Sequence, residues 1–274
     1  GKYQLTNVGS AVINQINKYY QFGEVTKIPD QRFRFYVNFY NPKILQNFVP
    51  ELTTFAPSRM NGLIDTQKDS LLMNASFPQI VYGGYRIDST KLNVNNTEQK
   101  LNYKLQIKSF QSSVANLFNS EISGEAVNND LGLNIYLRDS KRKDKYILGG
   151  KFKSINKDYQ FSLDPQKLLL NYEKWAIAPE NYIQFGQSGI IANRFNLSKG
   201  NQLLGINSTD TVANSPLKVE FKDFKIETLT KFAEQDSSLV GGTINGTVDA
   251  KELMDTPKFE ANLTIDRLRY LKDE

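Results

Sequence analysis

The stretch Arg32-Phe33-Arg34-Phe35-Tyr36-Val37-Asn38-Phe39 puts Phe33, Phe35, Val37 and Phe39 on one side of an extended chain. Arg32, Arg34, Tyr36 and Asn38 fall on the other. A period of two residues is the signature of a half-buried β-strand, because successive side chains point to opposite faces. The same alternation recurs in Leu101-Tyr103-Leu105-Ile107, Leu131-Leu133-Ile135-Leu137, Leu217-Val219-Phe221 and Phe259-Ala261-Leu263-Ile265. The chain is therefore read as mainly β. Arg138 to Lys145 is read as a polar hairpin tip between two strands, a solvated turn, with anionic lipid as the alternative contact for its basic run.

Helical patterning is sparse. Val8 to Tyr20 carries Val12, Ile13, Ile16, Tyr19 and Tyr20 at helical spacing, which makes residues 1–27 a helical lead-in. Asn41 before Pro42 reads as a helix cap, with Ile44, Leu45, Phe48 and Val49 on one face and Pro50 as the stop. Residues 28–274 are then expected to form one continuous β body, since no Pro/Gly/Ser-rich linker interrupts them.

Composition narrows the chemistry. Apolar residues make up 39% of 274, yet 17 Phe and 14 Tyr exclude a disordered polyelectrolyte. The chain has neither Cys nor His. That excludes imidazole and thiolate nucleophiles, nitrogen- or sulfur-ligated metals and disulfides, and leaves open hydrolysis by paired carboxylates and hard-metal binding through oxygen. No such pair is marked, since Asp65 and Asp249 suit loop geometry better than catalysis. No phosphate-binding glycine motif occurs either. The expectation is a protein with no catalytic residues, no metal and no cofactor. The net charge of +5 is thinly spread, which argues against nucleic acid as a partner. Six Asn-x-Ser/Thr sequons follow from the abundance of Asn and are not read as glycosylation sites.

An internal repeat stands out. Leu45-x-x-Phe48-Val49 followed by Met60-Asn61-Gly62-Leu63-Ile64-Asp65 returns as Leu229-x-x-Phe232-Ala233 followed by Ile244-Asn245-Gly246-Thr247-Val248-Asp249, every member 184 positions later. The units lie near residues 35–94 and 219–271. A poorer copy is Leu117-Phe118 with Ile122-Ser123-Gly124-Glu125-Ala126. Each reads as a short helix, a loop and a strand, and the two Asn-Gly units are expected to share one continuous sheet.

The segment Trp175-Ala176-Ile177-Ala178-Pro179-Glu180-Asn181-Tyr182-Ile183-Gln184-Phe185 resembles the Trp-x-Ile-x-Pro-x-Asn-x-Ile-x-Phe stretch of TamB-like proteins of the AsmA superfamily, in their Bacteroidetes form. Gly189-Ile190-Ile191-Ala192, Phe195-Asn196-Leu197 and Gln202-Leu203-Leu204-Gly205-Ile206 continue it, and Phe48 to Leu52, Phe77 to Tyr82 and Val240 to Gly246 are similar to the same family. The resemblance spans roughly residues 28 to 271. It implies an elongated, largely antiparallel repeat sheet curled into an open trough (a β-taco) with a few short helices. It further implies a periplasm-spanning protein anchored in the inner membrane of a Gram-negative bacterium, of which this chain is a fragment.

The implied function is carriage of phospholipid acyl chains toward the outer membrane, in support of outer-membrane biogenesis. An Omp85-type barrel is the implied partner, through a segment not assigned on this chain. Alternatives are an outer-membrane protein assembly scaffold and a closed β-solenoid adhesin. Alternation puts Ile183, Phe185, Phe195, Leu197, Leu204, Ile206, Val219, Phe221, Leu263 and Ile265 on the apolar sides of their strands. As groove candidates, most of them are expected on one shared concave face, at least partly reachable from solvent or from a bound acyl chain. Trp175, the single Trp, is read as a packing residue held in register by Pro179, with a lipid-interface anchor as the other reading.

Overall fold

A computed structural model describes residues 3–40, 42–113, 116–228 and 240–270. The fold is mainly β, 64% strand and 8% helix, with antiparallel sheets that do not close into a barrel. Its contacts divide the chain into two units, Gly1–Lys143 and Asp144–Glu274.

The first unit opens with a 3-10 turn and helix α1 (Val8–Asn17), followed by β1 (Arg32–Phe39) and the short helix α2 (Pro42–Phe48). Strands β2 (Leu52–Phe55), β3 (Ser58–Asp65), β4 (Ser70–Tyr82), β5 (Tyr85–Asn96), β6 (Leu101–Gln111), β7 (Asn116–Val127) and β8 (Asp130–Arg138) complete it. They pair in the order β1-β3-β4-β5-β6-β7-β8, with β2 beside the far end of β4. Long strands joined by tight turns are what the alternating sequence dictates, since each strand buries one face and wets the other. At the β3–β4 turn the Asp65 carboxylate accepts from the Gln67 and Lys68 N–H groups at 3.2 and 3.1 Å, so this buried Asp holds a turn. Asp139 does the same for the basic tip, accepting from the N–H groups of Lys141 and Lys143 at 2.9 Å each.

The second unit contains β9 (Asp144–Ile155), β10 (Asp158–Leu170), the two-residue β11 (Glu173–Lys174), β12 (Tyr182–Gly186) and β13 (Gly189–Asn193), ordered β9-β10-β12-β13 with β11 on β10. A separate five-stranded sheet follows in sequence order: β14 (Phe195–Lys199), β15 (Gln202–Ser208), β16 (Leu217–Lys225), β17 (Val240–Lys251) and β18 (Lys258–Tyr270). Side chains from β9, β10 and β12 meet those of β14, β15 and β16 around Trp175, Ile177 and Phe224.

The repeat needs correction. Asn61-Gly62 lies within β3 and Asn245-Gly246 within β17, in different sheets and different units, so the two do not share one continuous sheet. Their backbones differ as well: Gly246 has φ +122, whereas Gly62 is not among the positive-φ positions. The poorer copy has no helix, because Leu117 to Ala126 all belong to strand β7. Residues 229–233, the Asn41 cap and the side chains of Ile44 and Leu45 lie outside the described residues. What the glycines share is local. Gly62, Gly124 and Gly246 stand directly across from Phe35, Tyr103 and Phe221 on the preceding paired strand. A Cβ at Gly62 would come within 2.6 Å of the Phe35 ring. At Gly124 and Gly246 the tight neighbour is instead backbone, the Gly132 and Asn262 carbonyls, so the three glycines share a close approach on a strand but not one cause.

Candidate functional site

Cross-strand register decides which side chains share a face, because directly opposed residues project to the same side. In the first unit the opposed residues run Val37–Met60–Ala75–Leu92–Leu105–Ile122–Ile135, one from each of seven successive strands. A second row runs Phe35–Gly62–Met73–Val94–Tyr103–Gly124. Of the seven-residue row only Ala75 is buried, and the other six are half-buried. A sealed sandwich would close such a row off almost completely. This face is apolar along its whole width and still open in part to solvent.

Helix α1 covers the β1–β3–β4 end of this face. Beneath it lies a cavity of about 490 Å³, with Tyr3, Leu5, Val8 and Val12 on one side and Phe33, Val37, Met60 and Met73 on the other. The volume falls within the range of small-molecule sites, roughly 300–1,000 Å³. Tyr3 and Phe33 approach with ring centroids 5.2 Å apart, and Tyr19 anchors the end of the helix by donating its hydroxyl to the Thr97 carbonyl at 2.7 Å. None of these cavity residues was nominated from sequence. The signal was present in the Phe33-Phe35-Val37-Phe39 alternation, but the partner faces were invisible without the register.

The opposite face of the same sheet is wet and bonded side chain to side chain. Asn93 donates to Asn74 at 2.7 Å and Asn74 to Asn61 at 3.3 Å, a ladder that uses the abundant Asn and occupies the Asn74 sequon. Next to it Lys104 pairs with Glu121 at 2.9 Å. Burial pushes the Glu121 carboxyl up, but hydrogen bonds from Lys104, Gln106 and Ser123 and the Lys104 charge outweigh it and hold the group below its ordinary range. Asp88 is held low by hydrogen bonds from Gln79, Arg86 and Ser109, against a smaller upward push from burial.

In the second unit, register places eight of the ten nominated residues on one face of the five-stranded sheet. Phe195, Ile206 and Val219 are opposed in one row, and Leu197, Leu204, Phe221, Gly246 and Leu263 in the next, with Ile265 opposite Ile244. Ile183 and Phe185 lie apart from that sheet, on β12. Six of the ten (Ile183, Phe195, Leu197, Leu204, Ile206 and Phe221) gather around the buried Leu163, Leu168, Trp175, Ile177 and Phe224. Over β14 to β16 the face is a packed core: Phe195 is only 8% exposed and its ring lies 6.4 Å from that of Phe161. Phe195 is closed off from solvent because residues of β10 and the Trp175 segment pack over it. The face emerges at β18, where Leu263 and Ile265 are 41% and 47% exposed. Phe185 is also exposed, beside Tyr159. Trp175 is buried and packs against Phe224 at 5.9 Å between ring centroids, a packing residue.

Among the described residues no helix is long and apolar enough to cross a membrane. Comparison with protein-family models, curated proteins and solved structures finds no match to this chain.

Proposed function

We propose that this chain carries lipid acyl chains on a partly open apolar sheet face, as a piece of a periplasmic envelope protein that moves phospholipid between membranes. The observation that carries the reading is the seven-strand row from Val37 to Ile135, apolar throughout and half-buried at six of seven positions. Strands lie about 4.8 Å apart, so the row extends on the order of 29 Å. That is close to the roughly 30 Å hydrocarbon thickness of a bilayer, which two acyl chains fill end to end. Two sixteen-carbon chains crossing water unshielded would cost roughly 25 kcal/mol at about 0.8 kcal/mol per methylene. An open face shields the chains while a large headgroup stays wet, and it needs no catalytic group. The TamB-like resemblance supports the periplasmic location, the inner-membrane anchor and an Omp85-type partner as parts of the same proposal.

The test is mass spectrometry of lipid that co-purifies with the protein, beside a Leu92→Asp, Leu105→Asp variant. These two residues are cross-strand partners in the middle of the row. The expected result is bound phospholipid in the parent protein and its loss from a variant that still unfolds cooperatively. Absence of lipid from the parent, or undiminished loading in the folded variant, refutes the proposal.

A second reading is favoured for residues 144–274 by the buried cluster around Trp175 and Phe224. There the sheets act as a closed packing scaffold, and the same assay separates the two: lipid loading should be insensitive to changes confined to that unit.

A further inference from the structure

Strand β18 is the last strand of the five-stranded sheet, and among the described residues no strand pairs with its outer edge. It is 13 residues long and contains no proline, and the apolar side chains Phe259, Leu263 and Ile265 on one of its faces are 67%, 41% and 47% exposed. A long edge of unpaired N–H and C=O groups beside exposed apolar side chains is a template for another strand. The question is which strand the pattern fits.

The regular part of β18 answers it. Pairing with β17 is unbroken from Lys258 to Asp266, then shifts register, and Arg267 takes a left-handed φ of 53. Asn262 is the midpoint of that unbroken stretch. Antiparallel pairing of the stretch with itself about Asn262 sets Lys258 against Asp266, Glu260 against Thr264, Phe259 against Ile265 and Ala261 against Leu263. Opposed residues then always come from the same face, which antiparallel pairing requires. Charge meets opposite charge at both ends, and apolar meets apolar between them. Moving the centre to Glu260 or Thr264 loses the Lys258–Asp266 match. Within one molecule Lys258 reaches Glu252 at 2.7 Å, but both side chains are largely exposed, so that ion pair is weak and exchangeable.

From this register we infer that the outer edge of β18 is an isologous docking surface for a second copy of this chain, with a two-fold axis through Asn262. The inference is independent of the lipid reading. The chain has no Cys, so single thiols report the register without background. Opposed Cα atoms in an antiparallel pair lie about 4.5–5.5 Å apart, within disulfide reach whichever hydrogen-bonding class the pair belongs to. Under mild oxidation Asn262→Cys should give a disulfide-linked dimer as the main species. Glu260→Cys should stay monomeric on denaturing gels, since its symmetry mate lies about 13 Å further along the strand. Mixing Glu260→Cys with Thr264→Cys should restore cross-linking.

Charge reversal supplies a second readout in solution. Lys258→Glu should weaken self-association by about tenfold, measured by sedimentation, because two attractive pairs become repulsive. Adding Asp266→Lys to it should restore the parental value. Three results overturn the proposal: a chain that remains monomeric with a freely alkylated Asn262→Cys thiol, equal cross-linking at 260 and 262, or a dimer indifferent to Lys258→Glu. The first would assign the edge to a strand of different sequence.

Discussion

The Asn181 side chain grips both backbone groups of Leu163: its carbonyl oxygen accepts from the Leu163 N–H and its amide donates to the Leu163 carbonyl, each at 2.8 Å. The β10–β12 register ends at the Phe161–Ile183 pair and its continuation would set Leu163 against Asn181, so the Asn181 side chain supplies the hydrogen bonds that a longer β12 would otherwise make. Its amide also donates to the Ala178 carbonyl at 2.6 Å. Asn181→Ala should leave both Leu163 groups buried and unpaired. The expected cost is about 3 kcal/mol, read by urea unfolding with the buried Trp175 as fluorescent probe. A loss below about 1 kcal/mol would mean that water replaces the clamp.

The two ends of the nominated groove should respond differently to charge. Phe195→Asp puts a carboxylate into the Trp175 cluster with no partner, and should destabilise by several kcal/mol or abolish folding. Leu263→Asp, on the exposed edge strand, should change stability by less than about 1 kcal/mol. Thermal unfolding of the two single variants is the check. Equal, mild effects would show that the cluster opens to water after all.

Acid should weaken the first unit through its polar face. Asp88 and Glu121 are held below their ordinary range when folded, so the unfolded chain binds protons more readily than the folded one. Their contribution is complete above the ordinary carboxylate range near pH 4 and drains away as pH falls through it toward the folded values. The Asp88→Asn, Glu121→Gln variant should therefore be less stable at neutral pH and show a flatter decline between about pH 5 and 3. An unchanged acid limb would mean that the ladders contribute no linkage.

Strand placement was legible from local chemistry. The alternations at Arg32–Phe39, Leu101–Ile107, Leu131–Leu137, Leu217–Phe221 and Phe259–Ile265 all fall inside strands, because two-residue periodicity is a property of each segment alone. Helix α1 was legible for the same reason. The candidate site was only half legible. Eight nominated residues do share one sheet face, since alternation gives the side of a strand correctly. Alternation says nothing about what lies over that side. The Trp175 segment closes Phe195 off, while the row from Val37 to Ile135, unnominated, stays partly open.

Sequence alone determined the mainly β class, the absence of imidazole and thiol groups, and the polar or apolar character of each strand side. These follow from residue identity and near-neighbour spacing. Tertiary structure alone decided that Gly62 and Gly246 belong to different sheets, that the Asn181 side chain extends the β12 side of β10, and that β18 offers its outer edge. Each of those depends on pairing partners distant in the chain, and the energy of such pairing is set by register and burial, quantities no local window of sequence contains.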